Sequence, residues 1–206
     1  MEKDHPSAEN IMRLYQEGAA QWDAIRKENF IEQVWLDRFL ALLPEHASIL
    51  DLGCGGGDPI ARYFLQKGHQ ICGVDASAPL LERCQQRFPH AEWHLADMRS
   101  LKLQQTFDGI IAWDSFFHLT RSAQRKMFSI FQQHSHDGTA LMFTSGPDNG
   151  EAIGEFIGEP LYHASLAPDE YRQLLATHGF NVRNQVTEDP TCGGRTIWLA
   201  QLEKTQ

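Results

Sequence analysis

The stretch Ile49-Leu50-Asp51-Leu52-Gly53-Cys54-Gly55-Gly56-Gly57-Asp58-Pro59 runs from an apolar strand pattern into glycines and then into a helix pattern. Glycine permits positive φ, and its missing Cβ lets a ligand lie against the backbone. The helix that follows offers N–H groups with no intrahelical partner. The stretch therefore reads as a nucleotide-binding turn. A dinucleotide fingerprint is GxGxxG, whose third glycine allows close helix–strand packing. Counted from Gly53, that third position is Asp58. Asp51, two residues before Gly53, would put a negative charge at the mouth of a pyrophosphate site. A ligand carrying a sulfonium and an α-ammonium beside the loop suits that carboxylate better. A glycine turn with no ligand and a turn for another nucleotide are the alternatives.

Outward from this loop the chain alternates short apolar runs with helices. Ala47 to Leu52 reads as a buried strand and Pro59 to Lys67 as a helix that stops at Gly68. Gln70 to Val74 is a second strand. Pro79 to Phe88 is a second helix with Ser77 at its N-cap, an assignment that leaves Asp75 free. Ala91 to Ala96, Phe107 to Trp113 and Gly138 to Thr144 are further strands, and Arg121 to His134 a helix. Strands that are nearly continuous apolar runs between helices imply a parallel sheet covered on both faces. After a last helix, Pro168 to His178, the strands Phe180 to Val186 and Thr196 to Leu202 are joined tightly through Pro190 to Gly194, as an antiparallel hairpin. The expected fold is α/β, a Rossmann-like doubly wound sheet of seven mostly parallel strands with an antiparallel C-terminal hairpin strand.

Two segments lie outside this alternation. Ser7 to Leu43 reads as helical with a break around Gly18, within an N-terminal cap over 1–44. Gly146 to Ser165 shows no periodicity and is rich in Gly, Glu and Pro. A structureless stretch of that length inside a domain is usually functional, so 146–166 is expected to be a substrate-side insertion. The whole of 1–206 is expected to form one domain.

Acidic residues recur at predicted strand ends: Asp51, then Asp75 after 24 residues, then Asp97. An acid at the second strand tip suits a bidentate hold on ribose hydroxyls. With these in place, the chain resembles the class I S-adenosylmethionine-dependent methyltransferases of the small-molecule type, whose first motif is an acid followed by GxGxG. The resemblance covers residues 45 to 145. It implies S-adenosylmethionine as cofactor, held by Asp51, Gly53, Cys54, Gly55 and Gly57 on the methionine side, Asp75 and Ala76 at the ribose, and Asp97 and Met98 at the adenine. Phe107-Asp108-Gly109-Ile110-Ile111-Ala112-Trp113-Asp114-Ser115-Phe116-Phe117-His118-Leu119 resembles the fourth motif and implies Trp113 and Asp114 beside the cofactor. Tyr15 and Trp22 belong to the helices that close over the cofactor in such proteins, and Arg26 is either a partner for its carboxylate or a surface residue.

The expected activity is methyl transfer by in-line displacement to an unidentified small-molecule acceptor. A non-catalytic cofactor-binding protein, a nicotinamide-dependent oxidoreductase and other chemistry on the same cofactor are the competing readings. If the acceptor must lose a proton, His118 is the first candidate base and His163 the second, since imidazole is largely neutral near pH 7. Arg195 either meets an acidic substrate or lies on the surface.

The formal net charge of −9 and the absence of a basic run argue against a nucleic-acid backbone or an anionic membrane as partner. With 42% hydrophobic and 22% charged residues, the composition is that of a soluble globular domain. The four cysteines form no CxxC pair, and the acids and His163 of 150–163 follow no ligand spacing, so no metal is expected. With no apolar leader in Met1 to Pro6, a cytoplasmic protein with reduced thiols is expected. The oligomeric state is not encoded in any pattern.

Overall fold

A computed structural model describes residues 5–203. Its centre is a seven-stranded sheet in the order β3-β2-β1-β4-β5-β9-β8. The strands are β1 (Ser48–Leu52), β2 (Gln70–Asp75), β3 (Glu92–Leu95), β4 (Phe107–Ala112), β5 (Ser135–Ser145), β8 (Phe180–Asp189) and β9 (Arg195–Leu202). All pairings from β3 to β5 are parallel, and β9 runs antiparallel to both β5 and β8. The expected architecture is the observed one, with seven strands and a single reversed one.

Helices cover both faces. α3 (Gln33–Leu40) and α4 (Ile60–Gln66) bury Trp35, Leu36, Phe39, Ile60 and Phe64 against Ile49, Ile111 and Met142 on one side. On the other, α6 (Arg121–Gln133) and α7 (Pro168–Thr177) enclose an aromatic core of Phe116, Phe128, Phe131, Phe143, Tyr171 and Trp198. Phe143 and Trp198 stack face to face, 6.0 Å between ring centroids, across the β5–β9 pair. α5 (Ala78–Arg87) packs on β2 and β3.

The N-terminal segment breaks twice. α1 (Ile11–Glu17) and α2 (Ala19–Glu28) meet at Gly18, as expected; a second break before Gln33 was not anticipated. It follows from Asn29, which caps α2 in an extended conformation.

The stretch after β5 departs most from expectation. It is an antiparallel hairpin of β6 (Gly150–Phe156) and β7 (Glu159–Ser165), not an irregular loop. Ile157 at φ +50° and Gly158 at φ +80° form its two-residue turn, the sign pattern of a type I′ turn. β6 is exposed on both faces up to Phe156, so it lacks the apolar face by which a strand is recognised. β7 supplies the buried residues, Tyr162, Ala164 and Ser165.

Candidate functional site

A cleft of about 370 Å³ opens at the C-terminal ends of β1, β2 and β4, within the size range of small-molecule sites. Among its lining residues are Asp51, Gly53, Cys54, Gly55, Asp75, Ala76, Asp97, Met98, Trp113, Asp114 and His118, with Tyr15, Trp22 and Arg26 from the N-terminal helices. The sheet brings the expected residues together because each sits where a parallel strand ends. Gly57 and His163 lie outside the lining. Gly57 turns toward Phe88 and Cys84 under α5, and His163 packs against the rings of Phe117 and His118.

The glycine loop is built by backbone contacts. Gly53 N–H and Cys54 N–H both donate to the Val74 carbonyl, at 2.7 and 3.1 Å. Ser115 Oγ donates to the Leu52 carbonyl at 2.6 Å. Gly53 has φ +79°, and a Cβ there would collide with Ser115. Gly56 lies so close to the Asp23 carboxylate that no side chain fits. Gly53 requires glycine for shape as well as for φ, and Gly56 for shape alone.

Asp75 is not free. Its Oδ2 accepts from Gly55 N–H and its Oδ1 from Ser77 N–H, both at 2.8 Å. Ser77 occupies the N-cap of α5, but its hydroxyl donates to the Tyr15 carbonyl at 3.1 Å and caps no N–H of the first turn, while Asp75 anchors the N-cap residue through its backbone. Burial raises the Asp75 pKa, against the lowering effect of these N–H groups. Asp97 is likewise engaged. Its carboxylate accepts from Arg99 N–H at 2.9 Å and from the Arg99 guanidinium. Burial alone would raise its pKa, yet the Arg99 contacts hold it below the usual value.

Asp51 differs from both. It is 3% exposed, and among the described residues it accepts no hydrogen bond and joins no ion pair. Burial pushes its carboxyl up to about 7, the Asp75 charge adds to this, and Arg26 partly opposes it. A buried carboxylate without a donor costs free energy until a cation arrives.

The roof comes from α1 and α2. Trp22 stands over Gly55, and its Nε1 is 3.4 Å from where a Cβ would lie. Asp23 forms a two-pronged ion pair with Arg87 of α5, both contacts at 2.6 Å, and Arg87 also donates to the Gly56 carbonyl at 2.8 Å. Arg26 is buried and donates to Glu32 and to the Asn29 carbonyl. It is therefore a held residue that borders the cleft, not a solvated one.

His118 is locked at both nitrogens. Nδ1 lies 2.8 Å from the Tyr162 carbonyl and Nε2 lies 2.8 Å from the Tyr15 hydroxyl. A carbonyl only accepts, so Nδ1 carries the hydrogen and Nε2 accepts from Tyr15. Burial lowers the His118 pKa to about 4, which keeps the ring neutral over the physiological range. Tyr15, half-buried between Trp22, Phe156 and His118, has its pKa raised by desolvation and then by the charges of Asp114 and Asp75.

Arg195 is not among the residues lining the cleft and is not free on the surface. It grips Asp114 through Nε at 2.8 Å and Nη2 at 2.7 Å. Asp114 holds φ +49°, and its N–H donates to Thr144 Oγ1 at 2.9 Å. Sequence reasoning missed this pair, and missed Asp23, Glu32 and Ser115; the partners Arg87 of Asp23, Leu52 of Ser115 and Asp114 of Arg195 lie 63 or more positions away and leave no local spacing, and Glu32 meets Arg26 only across the break between α2 and α3. Ser115 had one available signal, its place just beyond the strand that enters the rim.

Residues 49–138 match a family model described as a methyltransferase domain. A putative methyltransferase of Bacillus subtilis, YqeM, is 31% identical over 135 residues, 62% of this chain and 54% of that one. The dTDP-3-amino-3,4,6-trideoxy-alpha-D-glucopyranose N,N-dimethyltransferase of Streptomyces venezuelae is 30% identical over 48% of this chain and 42% of its own length. The chain thus spans about half the length of these curated relatives. Among solved structures, Burkholderia thailandensis 1,6-didemethyltoxoflavin-N1-methyltransferase, with bound 1,6-didemethyltoxoflavin and S-adenosylhomocysteine, superposes with a TM-score of 0.75 at 18% identity. That superposition covers 99% of this chain and 92% of the other.

Proposed function

We propose, from the match of residues 49–138 to a methyltransferase domain, that this chain is a class I methyltransferase whose cleft binds S-adenosylmethionine and directs the methyl group to a nitrogen of a small-molecule amine. One observation carries the reading. The cations bordering the cleft are already held by protein carboxylates, Arg26 by Glu32 and Arg99 by Asp97, whereas Asp51 and Glu9 are not neutralised by any described residue. The cleft is therefore short of positive charge. A ligand with a sulfonium and an ammonium supplies it on the glycine-loop side; on the acceptor side the acidic lining attracts an amine as its ammonium, which gives its proton to water before the neutral amine, with its lone pair free, takes the methyl group.

The residues present fit the cofactor. The bare Cα atoms of the loop leave space for a chain to lie against it, and Asp51 offers a buried carboxylate to an ammonium. Asp75, fixed by two loop N–H groups, retains lone pairs for ribose hydroxyls, since a carboxylate has about four acceptor sites. When bound, the cofactor supplies a methyl group on a positively charged sulfur, already a strong electrophile.

The protein's part is orientation, which is worth several kcal/mol in a bimolecular displacement. Tyr15 is placed to do this. Its hydrogen is committed to His118 Nε2, so its oxygen presents lone pairs toward the cleft and accepts an N–H of the amine. That contact turns the amine lone pair toward the methyl group. His118 does not face the substrate as a base; it fixes the Tyr15 hydroxyl and is a positioning residue.

The Streptomyces venezuelae relative is an N,N-dimethyltransferase, in line with the nitrogen assignment, whereas four other curated relatives are malonyl-(acyl-carrier protein) O-methyltransferases, so the discriminating comparison is between amines and carboxylic acids. The test is an acceptor screen with S-adenosylhomocysteine release as readout, over matched amines, phenols and carboxylic acids, alongside calorimetry with S-adenosylmethionine and NADH. Turnover confined to amines is expected. Turnover of carboxylic acids alone would remove the nitrogen assignment, and tight binding of NADH alone would remove the methyltransferase reading.

A further inference from the structure

Behind the cleft, on the α6 side of the β2–β3 edge, three side chains of different chemistry meet. Cys72 on β2 and Glu92 on β3 are register partners, and His94 lies two residues beyond Glu92, on the same face. One ligand atom from each, a sulfur, a carboxylate oxygen and an imidazole nitrogen, lies within 4.8 Å of the others. His94 Nε2 is 2.6 Å from Glu92 Oε1, and the Gln105 amide reaches the Cys72 sulfur at 4.0 Å. The thiol is buried, His94 half-buried and Glu92 exposed, so the sulfur lies at the bottom of a cup with a polar rim.

We propose that Cys72, Glu92 and His94 form a binding site for a zinc-type divalent ion. The donor set suits a borderline-soft cation: thiolate and imidazole exclude Mg²⁺ and Ca²⁺, which take oxygen ligands. Around zinc, bond lengths near 2.0 to 2.3 Å put neighbouring ligand atoms roughly 3.6 Å apart in a tetrahedron. Ligand atoms already within 4.8 Å reach that spacing by side-chain adjustments of about an ångström. The fourth position faces the rim and is left to water. Two of the three ligands come from one strand and the third from its neighbour, so the ion would clip edge strand β3 to β2. No linear spacing marks the site, because Cys72 and Glu92 are 20 residues apart and meet only through strand register.

The test is a titration of chelator-stripped protein with Co²⁺ as a spectroscopic substitute for Zn²⁺, without added cofactor. One equivalent should bind and give a near-ultraviolet thiolate-to-cobalt charge-transfer band. Cys72→Ser should abolish the band, and His94→Gln, at a half-exposed position that does not threaten folding, should weaken binding at least tenfold. Zn²⁺ should raise the Tm of the native protein and leave that of His94→Gln unchanged. No saturable uptake of Co²⁺, or a band that survives Cys72→Ser and so arises from another thiol, would overturn the assignment. None of these readouts depends on the methyltransferase reading.

Discussion

The floor and the roof of the cleft are made in different ways. The floor, from Asp51 to Gly57 and Asp75 to Ser77, is held by backbone: N–H groups of residues 53 to 55 and 77 bonded to Val74 and Asp75, with glycines where any side chain would collide. The roof and acceptor wall, from α1, α2 and the β6–β7 hairpin, are held by side chains: Tyr15 on His118, Phe156 between Tyr15 and Trp22, and Asp23 on Arg87. A backbone-built site tolerates almost no sequence change, while a side-chain-built one can be rebuilt by substitution. Under the proposed function, the cofactor side and the acceptor side of the cleft are divided along that line.

The division can be broken at its strongest point first. Gly53→Ala forces a Cβ into Ser115 at positive φ, with a stability loss of about 2–5 kcal/mol from strain and overpacking together. Calorimetry should show cofactor affinity reduced by at least ~100-fold, equivalent to about 2.7 kcal/mol. On the roof, Tyr15→Phe should lower kcat on the amine by roughly 30-fold and leave the cofactor Kd unchanged, because only an orienting contact is lost. A parallel fall in cofactor affinity would mean that roof and floor are one unit.

Asp51 sharpens the comparison through pH. Its folded-state pKa, about 7, lies above the ordinary carboxylate value, so the native protein keeps a proton that the unfolded chain has lost. Its contribution to stability is therefore fully present below the ordinary value and falls as pH rises toward 7. Cation binding has the opposite slope, since only the ionised form attracts an ammonium. S-adenosylhomocysteine should bind about tenfold more tightly at pH 8 than at pH 6, and Asp51→Asn should flatten that profile. The smallest effect belongs to Arg13, whose ion pair with Glu159 joins α1 to the hairpin at the surface. Arg13→Ala should leave Tm and kcat unchanged within error. A clear change would show that the hairpin is held to the roof by charge as well as by Phe156.

The same division governs what was legible in the sequence. The alternation of strands and helices, the glycine loop and the acids at 51, 75 and 97 could be read because local pattern sets each of them: apolar runs, turn glycines and strand-end positions. The roof resisted reading. Tyr15 and Trp22 were identifiable as cap residues, but that Tyr15 occupies the one free nitrogen of His118 depends on α1 meeting the turn beyond β4, 103 residues away in sequence. The hairpin was hidden because a strand exposed on both faces has no apolar alternation, and because its turn places Ile157 where glycine or asparagine is usual. Arg195 was misread for the same reason as Tyr15: its partner is 81 residues upstream.

The position of β9 has a consequence for how the protein is made. Chains emerge from the ribosome N-terminus first, yet β9, the last strand to be synthesised, is inserted between β5 and β8. Until residues 195–202 emerge, β5 presents an open edge and Asp114 has no Arg195 to grip it. The glycine loop and the acids of β2 and β3 are synthesised long before, but the rim that holds Asp114 closes only with that last strand. A nascent chain therefore acquires its cofactor floor early and its finished pocket late, and the interval between the two is when it most needs protection from edge-to-edge association.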